Sequence, residues 1–198
     1  MTQNKSSPRL SSALNEFASY LNPHYLNARS TLVTSLGFMG TFLERWLPTS
    51  LRSAKIEDIF NYLPLSDTLA TSGQPTELQL ASIERAGFRT VINLAPHGLE
   101  NSLKNEAELI TRLGMKYIHI PVDFKNPTDE NFAAFCAALK QVGNEKTFVH
   151  CAANMRVSAF MYRYRTQILK QDPSTAQTDL HKIWKPFEAW EDFIQKPV

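Results

Sequence analysis

Lys146-Thr147-Phe148-Val149-His150-Cys151-Ala152-Ala153-Asn154-Met155-Arg156-Val157-Ser158 runs from an apolar segment through small residues into the start of a helix. Residues 146–150 are β-branched, aromatic or apolar in the main and read as a short buried strand. The following helix is expected from about 156 to 170. In open α/β sheets, ligands bind where strands end and helices begin. Amides at a helix N-terminus can point inward and hold an anion. The same amides, with Arg156 nearby, would stabilise a thiolate at Cys151, and a thiolate is a good nucleophile. Ala152 and Ala153 let the backbone come close to a ligand. Asn154 suits a turn through positive φ. A lone cysteine after an apolar strand is usually core. The neighbouring His150, Arg156 and Ser158 make this arrangement more specific. His150 is expected to support the loop by orienting its backbone rather than by transferring a proton. Cys136 lies mid-helix among Phe and Ala residues and reads as structural.

Outward from this loop the chain alternates strand and helix. Strands are expected at 68–72, 89–94, 116–122 and 146–150. Between them, helices are expected at about 77–86, 103–113 and 129–142. Thr76 is a plausible N-cap, and Gly87 and Gly114 close two of the helices. Two short helices should finish the chain, with Trp184, Phe187, Trp190 and Phe193 facing inward. This order predicts an α/β fold with a central, mainly parallel sheet and helices on both faces. The domain is placed at residues 56–198, with 1–55 as a partly helical N-terminal extension. Residues 1–30 are rich in Ser, Asn and Pro, so weak order is expected there. In 31–47, Leu32, Leu36, Met39, Leu43, Trp46 and Leu47 recur at helical spacing, and Pro48 ends the pattern. That face is expected either to pack on the domain or to touch a membrane surface or a partner protein.

The chain has 198 residues, and its net charge of +2 offers no case for nucleic acid as a partner. Its two cysteines are too few for a disulfide scaffold, so a reducing, cytoplasmic setting is expected. Their spacing from the histidines gives no metal site, and no cofactor is called for. The polar first ten residues do not read as a secretory signal.

Four segments carry a family resemblance: Ser72-Gly73-Gln74-Pro75-Thr76, Val91-Ile92-Asn93-Leu94, Ile120-Pro121-Val122-Asp123, and the loop 150–156. Residues 62–171 resemble bacterial phosphatase-like domains related to dual-specificity and tyrosine phosphatases, a group also found fused to β-lactamase-like hydrolases. The resemblance implies the cysteine-based phosphatase fold and hydrolysis of a phosphorylated substrate, protein or small molecule, through a cysteinyl-phosphate. It makes Cys151 the nucleophile and Arg156 the phosphate-binding arginine. Ala152, Ala153, Asn154 and Met155 would supply the rest of the phosphate cradle. Asp123 would protonate the leaving group, with Asp129 in reserve or capping the helix that starts there. Ser158, seven residues after Cys151, would ease the release of the cysteine. The phosphatase signature has five residues between Cys and Arg, and this chain has four. A loop of that length resembles rhodanese-type sulfurtransferases, which would carry a persulfide on Cys151. The third reading is an inactive phosphate-binding module.

Overall fold

The computed structural model describes residues 29–44, 53–99 and 101–197. The expectations for residues 1–28, and for Leu43, Trp46, Leu47 and Pro48 in the N-terminal helix, fall outside what is described. The elements in chain order are α1 (Arg29–Glu44), a 3₁₀ turn (Ile56–Asp58), β1 (Leu63–Ser66), β2 (Leu69–Ser72), α2 (Glu77–Arg85) and β3 (Thr90–Asn93). They continue with α3 (Glu106–Arg112), β4 (Lys116–His119), α4 (Asp129–Val142), β5 (Thr147–His150) and α5 (Met155–Arg163). A π-helical stretch (Tyr164–Ile168) extends α5, and α6 (Pro173–Ile183) and α7 (Ala189–Gln195) follow.

The sheet runs β1-β2-β5-β3-β4. β2, β5, β3 and β4 are parallel, and β1 adds an antiparallel edge as a hairpin with β2. The expectation of a mainly parallel sheet holds. β5 is the central strand, so its carboxyl end, and with it Cys151, sits at the middle of the sheet.

Alternation along the strands explains why helices cover both faces. Ala70, Val91 and Phe148 turn to one face, where they meet Leu80 and Ile83 of α2 and Ile110 of α3. Ile92 and Val149 turn to the other, against Phe132 and Phe135 of α4, Phe160 of α5 and Trp184 after α6. Strands buried on both sides read as continuous apolar runs, which is why β3 and β5 are legible in sequence. The aromatics expected to face inward do so: Trp184, Trp190 and Phe193 are buried, and Phe187 packs against the same core.

Three helix details differ from the sequence expectation. Thr128, not Asp129, caps α4, in a reciprocal capping box with Asn131. Asp129 is instead paired with Lys196 and with Arg163, 2.9 Å away. Both partners hold its carboxyl below the usual range, Lys196 first. The helix after the cysteine loop stops at Arg163 and passes into the π-helical stretch. α1 packs on the domain through its polar side. Thr31, Thr34 and Ser35 are buried, while Leu36 and Met39 of the expected apolar face are exposed at 54% and 41%. The inward face is polar because it meets main chain: Thr34 Oγ1 donates to Ile183 O at 2.5 Å, and Lys185 N donates to Thr31 Oγ1 at 2.9 Å.

Candidate active site

The loop after β5 is held from behind by its own carbonyls. Ala152 O accepts from Gln74 N at 3.1 Å and from Asn101 Nδ2 at 3.1 Å. Ala153 O accepts from Asn61 Nδ2 at 2.9 Å. In a trans peptide the N–H points opposite to the C=O. The amides of Ala153 and Asn154 are therefore turned away from these donors. Asn154 has φ 66°, the left-handed turn its residue type favours. Its Nδ2 is tied to Asn61 O at 2.8 Å and to Thr71 Oγ1 at 3.0 Å. Gly73 lies against the same loop. A Cβ there would come within 3.0 Å of both Ala152 O and Phe60 O, so only glycine fits without a shift.

Cys151, Ala152, Ala153, Met155 and Arg156 line a cleft of about 40 Å³. Phe124 forms one wall, and Thr34, Ser35 and Phe38 of α1 form another. The volume is a few times the ~10–15 Å³ that a single water needs, a scale that suits a small oxyanion. Arg156 is buried, with its guanidinium carbon 5.1 Å from the centroid of the Phe124 ring. Its Nε has no hydrogen-bond partner among the described residues. A buried donor of a permanent cation without a partner is unusual, and an anion in the cleft would satisfy it. The cleft thus unites five of the residues singled out in the sequence.

The remaining candidates are not among its lining residues. Asp123 is exposed immediately before Phe124, and its Oδ1 accepts from Lys125 N at 3.0 Å. Ser158 is buried one turn into α5. Its hydroxyl donates to Met155 O at 3.0 Å and accepts from Trp184 Nε1 at 3.1 Å. His97 stacks on His119, with ring centroids 3.8 Å apart. Cys136 is half-buried on α4, and burial pushes its thiol up.

His150 is fully buried behind the loop, and burial drives its pKa down. Its Nε2 lies 3.4 Å from Oε1 of Glu106, a residue that sequence reasoning missed. Glu106 is the first residue of α3 and is itself buried. It accepts from Asn93 Nδ2 at 2.6 Å, from Tyr117 OH at 2.9 Å and from Gln74 Nε2. Burial and the adjacent Glu106 carboxylate raise the Tyr117 phenol. This polar layer connects the segments 72–76 and 91–94, which carry the resemblance, to the residue preceding the nucleophile candidate. An acidic residue in the first turn of the expected helix was the available signal, but that position usually serves the helix dipole.

The fold is that of known phosphatases. TpbA of P. aeruginosa, in complex with pTyr, shares the fold with TM-score 0.52 at 16% identity over 65% of this chain and 75% of that one. The family is set by closer matches. Residues 51–191 match the family described as DSP-PTPase phosphatase fused to NAD+ kinase. A DUF442 protein of Shewanella putrefaciens CN-32, assigned to the phosphatases, is 32% identical with TM-score 0.65, over 71% of this chain and 93% of that one. The chain belongs to this family and is a phosphatase of the dual-specificity and tyrosine-phosphatase type. A β-lactamase hydrolase-like protein of Xylella fastidiosa is 34% identical over 95 residues, 46% of this chain. The match spans 22% of that relative's length.

No group of His, Cys, Asp or Glu among the described residues could hold a metal ion. No helix among them is long and apolar enough to cross a membrane.

Proposed function

We propose that the chain hydrolyses phosphomonoesters through a cysteinyl-phosphate on Cys151. The observation that carries this reading is the buried Arg156 beside Cys151, with an Nε that no described residue satisfies. In the first step the Cys151 thiolate attacks phosphorus, the P–O bond to the leaving group breaks, and Asp123 gives its proton to the departing oxygen. The loop amides and Arg156 hold the phosphoryl oxygens as charge shifts between them. In the second step water attacks phosphorus, Asp123 takes up its proton, and the P–S bond breaks. Inorganic phosphate leaves and the thiolate returns. Ser158 keeps the loop in place for both steps by holding the Met155 carbonyl. His150 and Glu106 fix the loop from behind. The phosphorylated ligand of TpbA supports a phosphorylated substrate for this fold.

The test is acid-quenched turnover of a panel of phosphomonoesters, followed by peptide mass analysis. Phosphate should be found on the Cys151 peptide, and Cys151→Ser should abolish both adduct and turnover. Turnover that survives Cys151→Ser would refute the mechanism. Sulfur transfer from thiosulfate to cyanide exceeding ester turnover would favour the persulfide reading suggested by the four-residue loop.

A further inference from the structure

Helix α1 lies upstream of the family match at 51–191, yet three of its residues, Thr34, Ser35 and Phe38, line the Cys151 cleft. It is fastened there at several points. Thr34 Oγ1 donates to Ile183 O and accepts from Asn61 Nδ2 at 3.2 Å. That same Asn61 Nδ2 donates to Ala153 O, so one amide joins α1 to the cysteine loop. Gly37 brings the helix down onto the Phe60 ring, where a Cβ would sit 2.6 Å from Phe60 Cε2. Cys151, which lines the same cleft, is 0% exposed. None of the residues given a chemical role above lies on α1. What it changes is the width of the approach.

We propose that α1 is the size-selecting wall of the cleft, with Phe38 as the residue that narrows it. The site then takes a phosphoryl group on a slim leaving group more readily than one on a broader leaving group. The substrate half of this inference rests on the phosphatase reading; the access half does not, because it concerns only what can reach the Cys151 sulfur. A hydrophobic wall of this kind discriminates by ~10–200-fold for each methylene-sized intrusion.

The experiment uses the full chain and reads two ratios. The first compares alkylation of Cys151 by iodoacetamide and by N-phenylmaleimide, followed on the Cys151 peptide. The second compares kcat/KM for ethyl phosphate and phenyl phosphate. Phe38→Ala should raise reactivity toward the bulky member of each pair by at least ~10-fold relative to the slim one. Thr34→Val keeps the side-chain volume but removes both hydrogen bonds of Thr34, so it should shift the ratios in the same direction even if Phe38→Ala folds poorly. Met39→Ala, on the exposed side of α1, should leave both ratios unchanged. Alkylation ratios that stay at the wild-type value in both inward-face variants would overturn the wall. A shifted alkylation ratio without turnover of either ester would uphold it and refute the phosphatase reading instead.

Discussion

The guanidinium of Arg156 rests over the ring of Phe124, with its carbon 5.1 Å from the ring centroid. The ring faces the cation without using its N–H groups, which leaves the guanidinium fork for an oxyanion. Arg156→Lys keeps the charge and loses the fork. It is expected to weaken binding of vanadate by ~10–100-fold, from the ~1.5–3 kcal/mol that a hydrogen bond to a charged group contributes. Titration calorimetry checks this. Equal affinities in the two proteins would show that the fork does not meet the anion.

Asp123 precedes Phe124, which lines the cleft, and its side chain is exposed. As general acid it should matter in proportion to how poorly the leaving group departs. Asp123→Asn should slow turnover of ethyl phosphate by ~10²–10⁴-fold. The loss should be much smaller with trifluoroethyl phosphate, whose alkoxide is already stabilised. Equal losses on both esters would remove Asp123 from the proton transfer.

Ser158 bridges Trp184 Nε1 and Met155 O inside the core. Ser158→Ala strands a buried indole N–H, at a cost of ~1–3 kcal/mol. Urea denaturation should show that loss, while phosphoenzyme breakdown stays close to wild type at low urea. A burst of product with normal stability would mean that the hydroxyl acts on the Cys151 sulfur directly.

His150 makes stability depend on pH. Its folded pKa lies below the ordinary 6.5 because burial opposes the cation. Glu106 pulls the other way, and His119 adds to the depression. The unfolded chain therefore takes up a proton that the folded chain refuses. The contribution is complete above about pH 6.5 and declines as pH falls toward the folded pKa, by at most ~1.4 kcal/mol per pH unit. Denaturation at a series of pH values from neutral downward should show the decline, and His150→Gln should flatten it in part. His181, also shifted down by burial, and the carboxylates held below their usual range, Asp129 among them, retain the rest. An unchanged slope would mean that His150 is not held neutral.

What the sequence made legible was the part governed by local pattern. β3 and β5 are buried on both faces, so their composition alone marks them as strands. The cysteine loop is contiguous, so its residues and the positive φ of Asn154 follow from neighbouring residue types. β1 was not legible, because Pro64 and a shift of register between Pro64 and Ser66 break the alternation that marks a strand. Glu106 was hidden for a different reason. Its partners Asn93, Tyr117 and His150 come from three separate strands, and only the folded sheet assembles them. The sequence leaves two readings open for α1, because apolar spacing marks a face but not its target. Here the target is backbone at Ile183 and Lys185, which threonines satisfy better than leucines.

The β1 hairpin has a bearing on how the molecule keeps to itself. Without it β2 would be the outermost strand of the sheet, presenting a row of unpaired amides and carbonyls to any strand that approached. β1 takes up that pairing and is a poor template in its turn. It has four residues, carries Pro64, and loses register before Ser66. The protection reaches beyond colloidal behaviour. β2 ends at Ser72, whose carbonyl receives the Cys151 amide at 3.3 Å, and leads into Gly73 against Ala152. A foreign strand added at this border would pull on the turn beneath the nucleophile, so shielding against aggregation and keeping the reactive loop in shape are one task for this hairpin.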